Sequence, residues 1–342
     1  MEPLAPLAVT VNGSWARPGW YRLFVDQMNA PETALGPDDR AEAQADALRL
    51  TIDDQLRAGV DVISDGEVGR PERHVSVLAR LTGLERQPVT RRLGAPGPDQ
   101  LAHFVCTAPL NAPHGLGLVD EYRRFKELAN ATHRFCVPGP LLLASAIQGG
   151  KVYRNRDAIL EVLAPLVNRE LRAIVEAGAT ILQIDEPVFA IEAGKTDLFV
   201  RLVERTTAGV RAHTTLHLGF GNDHGRSLGP RRYGSLFPEI GKCAVQELSF
   251  EFAGREMAEV ELLAQLKPPM GVAVGLVDVR SHWVEPPELI AERLRVVLKQ
   301  IEPARVRATS DGGFDQTSRP IARAKLTNLV AGVAIVRDER KK

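Results

Sequence analysis

The chain has 342 residues, room for one large domain or two small ones at roughly 150 residues per domain. It is 44% apolar, 25% charged and 5% aromatic, an ordinary globular composition that excludes a disordered or fibrous protein. Its 43 Lys and Arg balance 43 Asp and Glu, so no net field draws it onto nucleic acid or an anionic membrane, and its longest apolar stretch, near 141–147, falls far short of the ~20 residues that span a bilayer.

The start, Met1-Glu2-Pro3-Leu4, carries neither the cationic segment nor the apolar run of an export signal, so a cytoplasmic location is expected. A first strand is expected over 8–14. A helix over 43–58, stopped by Gly59, leads into a second strand over 60–67. The stretch 71–132 breaks this rhythm with Pro and Gly clusters at 94–98 and 109–117 around a short apolar run at 101–106. It reads as an excursion from a single domain covering 1–342. A third strand follows at 133–138. Ile159, Leu163, Leu166, Val167, Leu171, Ile174 and Val175 then fall at helical spacing, the helix stops at Ala177-Gly178, and a strand is expected over 180–186. Further strands are expected at 212–219, 245–251, 271–278 and 305–311, the last after a helix over 289–300. The basic end, 337–342, reads as a frayed tail.

Short β-rich runs alternating with helices mark a parallel sheet, and eight such strands predict an α/β fold closed into a (β/α)8 TIM barrel. Cys106, Cys136 and Cys243 are odd in number, have no C-x-x-C spacing and read as buried free thiols. The polar residues are more telling. Strand after strand is apolar and then finishes in Ser14, Asp65 with Glu67, Asp185 with Glu186, His217, Glu251, Asp278 or Asp311. In such a barrel the C-terminal strand ends converge on the face where active sites form, so these groups are expected to line one pocket.

The strand-end motifs are, in order, Val11-Asn12-Gly13-Ser14, Ser64-Asp65-Gly66-Glu67, Gln183-Ile184-Asp185-Glu186-Pro187, His217-Leu218-Gly219-Phe220-Gly221-Asn222, Leu248-Ser249-Phe250-Glu251-Phe252-Ala253, Gly275-Leu276-Val277-Asp278-Val279-Arg280-Ser281 and Ser310-Asp311-Gly312-Gly313-Phe314. Over nearly the whole chain this series resembles the C-terminal domain family of cobalamin-independent methionine synthases. The resemblance implies a barrel of the uroporphyrinogen decarboxylase and methionine synthase type. It also implies a zinc-bound thiol that accepts a methyl group from a methylated folate. His217 matches the family's histidine zinc ligand and Glu251 its glutamate ligand, whereas Gly219 and Gly312 stand where the family has its two cysteine ligands. Leu141-Leu142-Leu143-Ala144 follows Val137-Pro138-Gly139-Pro140 where the methionine synthases present an aromatic platform for the folate. Ser14, Glu67 and Asp185 match positions that hold the amino-acid end of the acceptor.

One imidazole and one carboxylate do not make the roughly four-ligand site that zinc takes. The expectation is therefore a small-molecule enzyme on a small polar or zwitterionic substrate, with no cofactor, in which His217, Glu251 and Asp185 carry acid–base catalysis. His217 and Glu251, from consecutive strands, are expected within hydrogen-bond range. Ser14, Asp65, Glu67, Glu186, Asn222, Asp278, Asp311 and Arg226 are expected around the substrate, Arg226 as part of a basic loop with His224, Arg231 and Arg232. Lyase, hydrolase and group-transfer chemistry all fit. The alternative is a methyl or alkyl transferase, like the methyltransferases that move a methyl group from 5-methyltetrahydropteroyltriglutamate to homocysteine, with zinc or another divalent metal in a rebuilt site using His217, Glu251 and a carboxylate such as Asp185. A third reading is a non-catalytic binding protein. No nucleic-acid or membrane partner is expected, and homo-oligomerisation stays open. His213, four residues before His217 on the same strand face, reads as structural.

Overall fold

The computed structural model describes residues 4–28, 35–87, 103–222 and 225–341. Among them run strands β1 (Ile63–Ser64), β2 (Thr82–Arg86), β3 (Phe104–Asn111), β4 (His133–Pro138), β5 (Ile147–Gln148), β6 (Ile181–Pro187), β7 (His213–Gly219), β8 (Glu247–Glu251), β9 (Gly271–Val277) and β10 (Val306–Ser310). Helices are α1 (Gly19–Met28), α2 (Pro37–Ala58), α3 (His74–Leu78), α4 (Leu118–Leu128), α5 (Pro140–Ala144), α6 (Arg156–Glu176), α7 (Thr196–Thr207), α8 (Pro287–Val297) and α9 (Arg319–Glu339).

Seven strands pair in parallel in the order β1-β4-β6-β7-β8-β9-β10. The ring closes through the N-terminal segment: Val9 bridges Ala308 on β10 and Thr10 bridges Val62 beside β1. Thr10 N–H donates to the Ala308 carbonyl at 2.8 Å and Asp61 N–H to the Val9 carbonyl at 3.0 Å. The barrel thus has its eighth member, shorter than the expected 8–14. The second strand is shortened as well, from 60–67 to two residues. Both segments leave the ladder at left-handed glycines, Gly13 at φ 52° and Gly66 at φ 62°.

The helices follow from cap and period. α2 starts at Pro37 with Asp38 and Asp39 in its first turn and stops at Gly59, whose φ of 84° lets its N–H reach the Leu56 carbonyl at 3.0 Å. Asn155 caps α6 by accepting from Ala158 N–H at 3.0 Å, and α6 buries Ile159, Leu163, Leu166, Val167, Leu171 and Ile174 against the barrel. Each such side chain contributes about 1.5–3 kcal/mol by leaving water. Two crossovers depart from the β/α alternation. β7–β8 carries the 3-10 turns Gly234–Leu236 and Glu239–Lys242, and β8–β9 carries Ala253–Arg255 and Val260–Gln265. Gly229, Pro230, Gly234, Pro238 and Gly241, then Pro268 and Pro269, keep these stretches from propagating a helix.

β2 and β3, from the irregular stretch after residue 71, form a second sheet with β5 in the order β2-β3-β5, β2 antiparallel and β5 parallel to β3. Its glycine–proline cluster at 94–98 and the first residues of its apolar run, 101–102, lie outside the described residues. The three cysteines are free and buried. No helix among the described residues is long and apolar enough to cross a membrane.

The barrel interior is polar where such barrels are usually filled by Val, Ile and Leu. On β9, Val272, Val274 and Leu276 face the helices, which leaves Gly271, Ala273 and Gly275 on the inner face. Arg134, Gln183, Thr215, Glu247, Ser249, Arg307 and Thr309 are buried on strands around them.

Candidate active site

His217 is the fifth residue of β7 and shares its inner face with His213 and Thr215. Register places it beside Asp185 on β6 and Ser249 on β8. Its Nδ1 lies 2.9 Å from Asp185 Oδ1. Its Nε2 is buried without a hydrogen-bond partner and lies 3.9 Å from Glu251 Oε1. That separation is too long for a hydrogen bond. The expected direct His217–Glu251 hydrogen bond is therefore replaced by His217–Asp185, and the 3.9 Å between Nε2 and Glu251 Oε1 is the gap on the other edge of the ring. Because Asp185 and Glu251 sit on opposite edges of the imidazole, the three do not converge on one ion.

Glu251 ends β8, buried. Its Oε1 accepts from Phe220 N–H at 3.2 Å and its Oε2 from Arg280 Nη2 at 2.8 Å. Burial pushes its carboxyl up, while Arg280 and His217 oppose the shift. Arg280 also donates to the Gly221 carbonyl, through Nε at 3.2 Å and Nη2 at 2.5 Å. Two glycines flank the gap. A Cβ on Gly219 would stand 3.2 Å from His217 Cε1 and 3.5 Å from Glu251 Oε1. One on Gly312 would stand 3.3 Å from the same oxygen. Gly312 has φ 116°, a conformation a side-chain-bearing residue adopts only with strain.

A second cluster adjoins Asp185. Ligating atoms of Glu67, Cys136 and Asp185 lie within 4.8 Å of one another, the one group of three or more His, Cys, Asp or Glu close enough to hold a metal ion among the described residues. Asp65 is buried beside them, and its Oδ1 has no partner. Burial pushes Glu67 up to about 8; Arg70, 3.9 Å away, opposes, and Asp185 and Asp65 add to the rise. Burial likewise raises Asp65 to about 6, again against Arg70. Glu67 holds φ 53°, unusual for a residue with a side chain, directly after Gly66, where a Cβ would stand 2.5 Å from that of Trp15. The turn is shaped to set Glu67 over the barrel mouth. Concentrated carboxyl groups whose ionisation is suppressed in this way favour a cationic ligand.

The other expected substrate residues divide. Ser14 is buried at the rim, and a Cβ on Gly313 would meet its Oγ at 2.2 Å. Glu186 does not join the pocket. It alternates to the opposite face from Asp185 and accepts from Leu141 N–H at 3.1 Å and Leu142 N–H at 2.8 Å, at the start of α5. Asp311 accepts from the N–H groups of Phe252, Ala253 and Gly254 at 2.9, 3.1 and 2.5 Å, so it anchors the turn after β8. Asp278 Oδ1 accepts from Arg280 N–H at 2.9 Å, shaping the loop that delivers Arg280. Asn222 Oδ1 accepts from Gly225 N–H at 3.0 Å. Arg226 is exposed, Arg231 donates to the Gly254 carbonyl at 2.8 Å, and His224 lies outside the described residues. A cavity of about 490 Å3 lies apart from His217, lined by residues that include Ile147, Tyr153, Arg156 and Phe189.

Three groups at the site escaped the sequence reading. Arg280 follows a strand-end aspartate by two residues and is one of 43 cations, so nothing local marks it. Gln183 has its side chain on the face of Asp185, a position that alternation from Asp185 identifies. Tyr233 lies in the helix-free β7–β8 crossover; its hydroxyl donates to the Leu218 carbonyl at 2.9 Å and accepts from Glu251 N–H at 2.8 Å, tying the ends of β7 and β8.

Residues 136–334, which include His217, Glu251, Arg280 and both glycines, match the family described as cobalamin-independent synthase, catalytic domain. The chain belongs to that family. Over its whole length it is 29% identical to a methionine synthase of Saccharolobus solfataricus, across 346 aligned residues and 98% of that protein. It is 28% identical to one of Sulfurisphaera tokodaii, covering 96% of it. A B12-independent methionine synthase from Shewanella sp. W3-18-1, solved in complex with selenomethionine, superposes with a TM-score of 0.83 at 25% identity over 98% of this chain and 99% of that one. A structure from Listeria monocytogenes shares the fold at a TM-score of 0.74 and 17% identity. The family is one of enzymes, and the barrel expected from the strand count is its fold.

Proposed function

We propose that this enzyme transfers a methyl or small alkyl group involving a small zwitterionic, amino-acid-like substrate, with His217 as the base that deprotonates the acceptor. The relatives' names favour group transfer over the lyase and hydrolase readings. The observation that carries the proposal is the pair of environments on one imidazole: Nδ1 on Asp185, and Nε2 buried, partnerless and 3.9 Å from Glu251 Oε1. A carboxylate behind a neutral imidazole orients the ring and stabilises the cation formed when it takes a proton.

The family's zinc does not fit this arrangement. By resemblance its four ligand positions are His217, Gly219, Glu251 and Gly312, and two of the four have no donor atom. Glu251 spends its oxygens on Phe220 N–H and the Arg280 guanidinium, a fixed cation where a metal would need an electron pair. The acceptor X–H would then approach Nε2 and give it its proton, and X would form its bond to the donor's methyl carbon as the bond from that carbon to the leaving group breaks. Glu67 and Asp185 would take the substrate ammonium, with Ser14 nearby, as matching positions do in the methionine synthases; the selenomethionine complex of the Shewanella relative supports a ligand of that class.

The test is isotopic methyl transfer, with methylated folate and sulfonium donors offered against zwitterionic thiols, selenols and amines, on protein whose metal content has been measured. Turnover that survives chelation and falls by roughly 10²–10⁴ in His217→Gln is expected. Unimpaired turnover in that variant, or activity strictly proportional to tightly held zinc, would overturn the reading.

A further inference from the structure

The polar groups beneath His217 form a line whose direction is fixed from one end. Arg134, on β4, is almost fully buried, and its guanidinium has N–H donors and no acceptor. Nη1 donates to Gln183 Oε1 at 2.6 Å. The Gln183 oxygen is thereby assigned, and the amide's other end, Nε2, donates to Asp185 Oδ1 at 2.7 Å. The same oxygen lies 2.9 Å from His217 Nδ1. A flipped amide would set N–H against the guanidinium and oxygen against the carboxylate, two repulsions in a water-poor interior where such contacts are costly. Asp185 Oδ1, which accepts from Gln183, carries no proton of its own and stays an acceptor toward the ring, so the ring nitrogen facing it carries the hydrogen.

We propose that Arg134 and Gln183 are positioning residues that set the tautomer of His217, holding hydrogen on Nδ1 so that Nε2 faces the gap as a bare acceptor. Neither touches the gap. Their leverage comes from hydrogen-bond polarity passed along three contacts, starting at a group that can only donate. The geometry suits this use: Gln183 and Asp185 are two apart on β6 and so point the same way, while Arg134 lies one rung lower on the neighbouring strand, where Phe135 pairs with Leu182 and Cys136 with Gln183. Its catalytic value rests on the proposed role of His217 as base, but the tautomer itself is measurable without a substrate.

The experiment is nitrogen-15 NMR of the histidine rings in the full chain, dialysed against chelator, at a pH where the rings are neutral. His217 is assigned by the signal missing from His217→Gln. Wild type and Arg134→Lys, which keeps a donor-only group, are expected to show His217 predominantly as the Nδ1–H form. Gln183→Leu and Arg134→Met free Asp185 to turn from the ring or take a proton and are expected to raise the Nε2–H fraction measurably, with circular dichroism confirming that each is folded. Gln183→Asn, which shortens the link but keeps the amide, covers the case in which Leu does not fold. An Nε2–H ring in wild type, or an unchanged Nδ1–H ring in every folded variant, would overturn the proposal. With a substrate identified, kcat should fall in Gln183→Leu while KM holds; a purely structural role would lower the melting temperature and leave the tautomer alone. If methyl transfer fails but the tautomer behaves as described, the positioning stands and the proposed reaction is what falls.

Discussion

The two walls of the barrel mouth use the same residue types in opposite ways. On the wall formed by β1, β4, β6 and β7, Asp65, Glu67 and Cys136 crowd around Asp185, whose Oδ1 is taken by Gln183 and His217, while Asp65 Oδ1 and His217 Nε2 have no partner. On the wall formed by β8, β9 and β10, Asp311 is filled by three backbone N–H groups and Glu251 by an N–H and a guanidinium. Carboxylates on the second wall hold loops in place. Those on the first have bonding capacity left over, and capacity left over in a buried place is what a ligand uses.

The sharpest break of this comparison would be a variant on the first wall that behaves like one on the second. Asp185→Asn should lower turnover by roughly 10²–10⁴, because the amide disturbs the hydrogen-bond polarity behind His217. Its melting temperature should stay close to that of wild type. Asp311→Ala should do the reverse, stranding three buried amides, and cost about 2–4 kcal/mol of stability in chemical denaturation. If Asp311→Ala unfolds no more easily than Asp185→Asn, the division between walls is wrong.

Much of this was legible in the sequence, and the limits of legibility are physical. Helix and strand periods, with the stops at Gly59 and Ala177-Gly178, locate α2 and α6, and the barrel follows from alternation. A strand-end acidic residue is visible, but its direction is not: Asp185 and Glu186 are adjacent, and only the pleat, with α5 lying over one face, sends the first to the pocket and the second to the Leu141 and Leu142 amides. Asp311 was misread for a related reason. It ends its strand like the others, and the acceptor demand that claims it comes from a turn some sixty residues away in sequence, where no local pattern registers. Arg280 and Arg134 were missed because a cation's importance here lies in its partners, Glu251 and Gln183, which come from other strands.

The first wall's acidity also gives a pH signature. Below about 8 Glu67 is largely protonated in the free protein, so an ammonium that pairs with its carboxylate must displace a proton. Affinity for a zwitterionic ligand should therefore rise with pH toward 8 by up to about tenfold per pH unit and level off above it. Calorimetry in two buffers of different ionisation enthalpy would detect the released proton. A flat profile, or one unchanged in Glu67→Gln, would place the ammonium elsewhere.

Glu186 offers the smallest effect and a clean sign. Burial raises its carboxyl from an ordinary 4.5 to about 8, with the Leu141 and Leu142 amides opposing. The folded state therefore binds a proton there more tightly than the unfolded chain does. Between about 4.5 and 8 the folded protein carries more protons than the unfolded one, so this group's stabilisation is complete at the acid end and is lost as pH rises through 8. Asp65, Glu67 and Asp311, raised to about 6, 8 and 7, act in the same direction. Stability should thus decline from mildly acidic to mildly alkaline pH, opposite to a protein held by salt-bridged carboxylates. Glu186→Gln, neutral at every pH, should remove one share of that slope. It should also cost a little stability at all pH values, since the amide keeps one acceptor for two backbone N–H groups. Denaturant midpoints at several pH values for wild type and variant measure both. Parallel curves would mean that Glu186 ionises alike in the folded and unfolded chain, and that the helix-capping amides, not burial, control it.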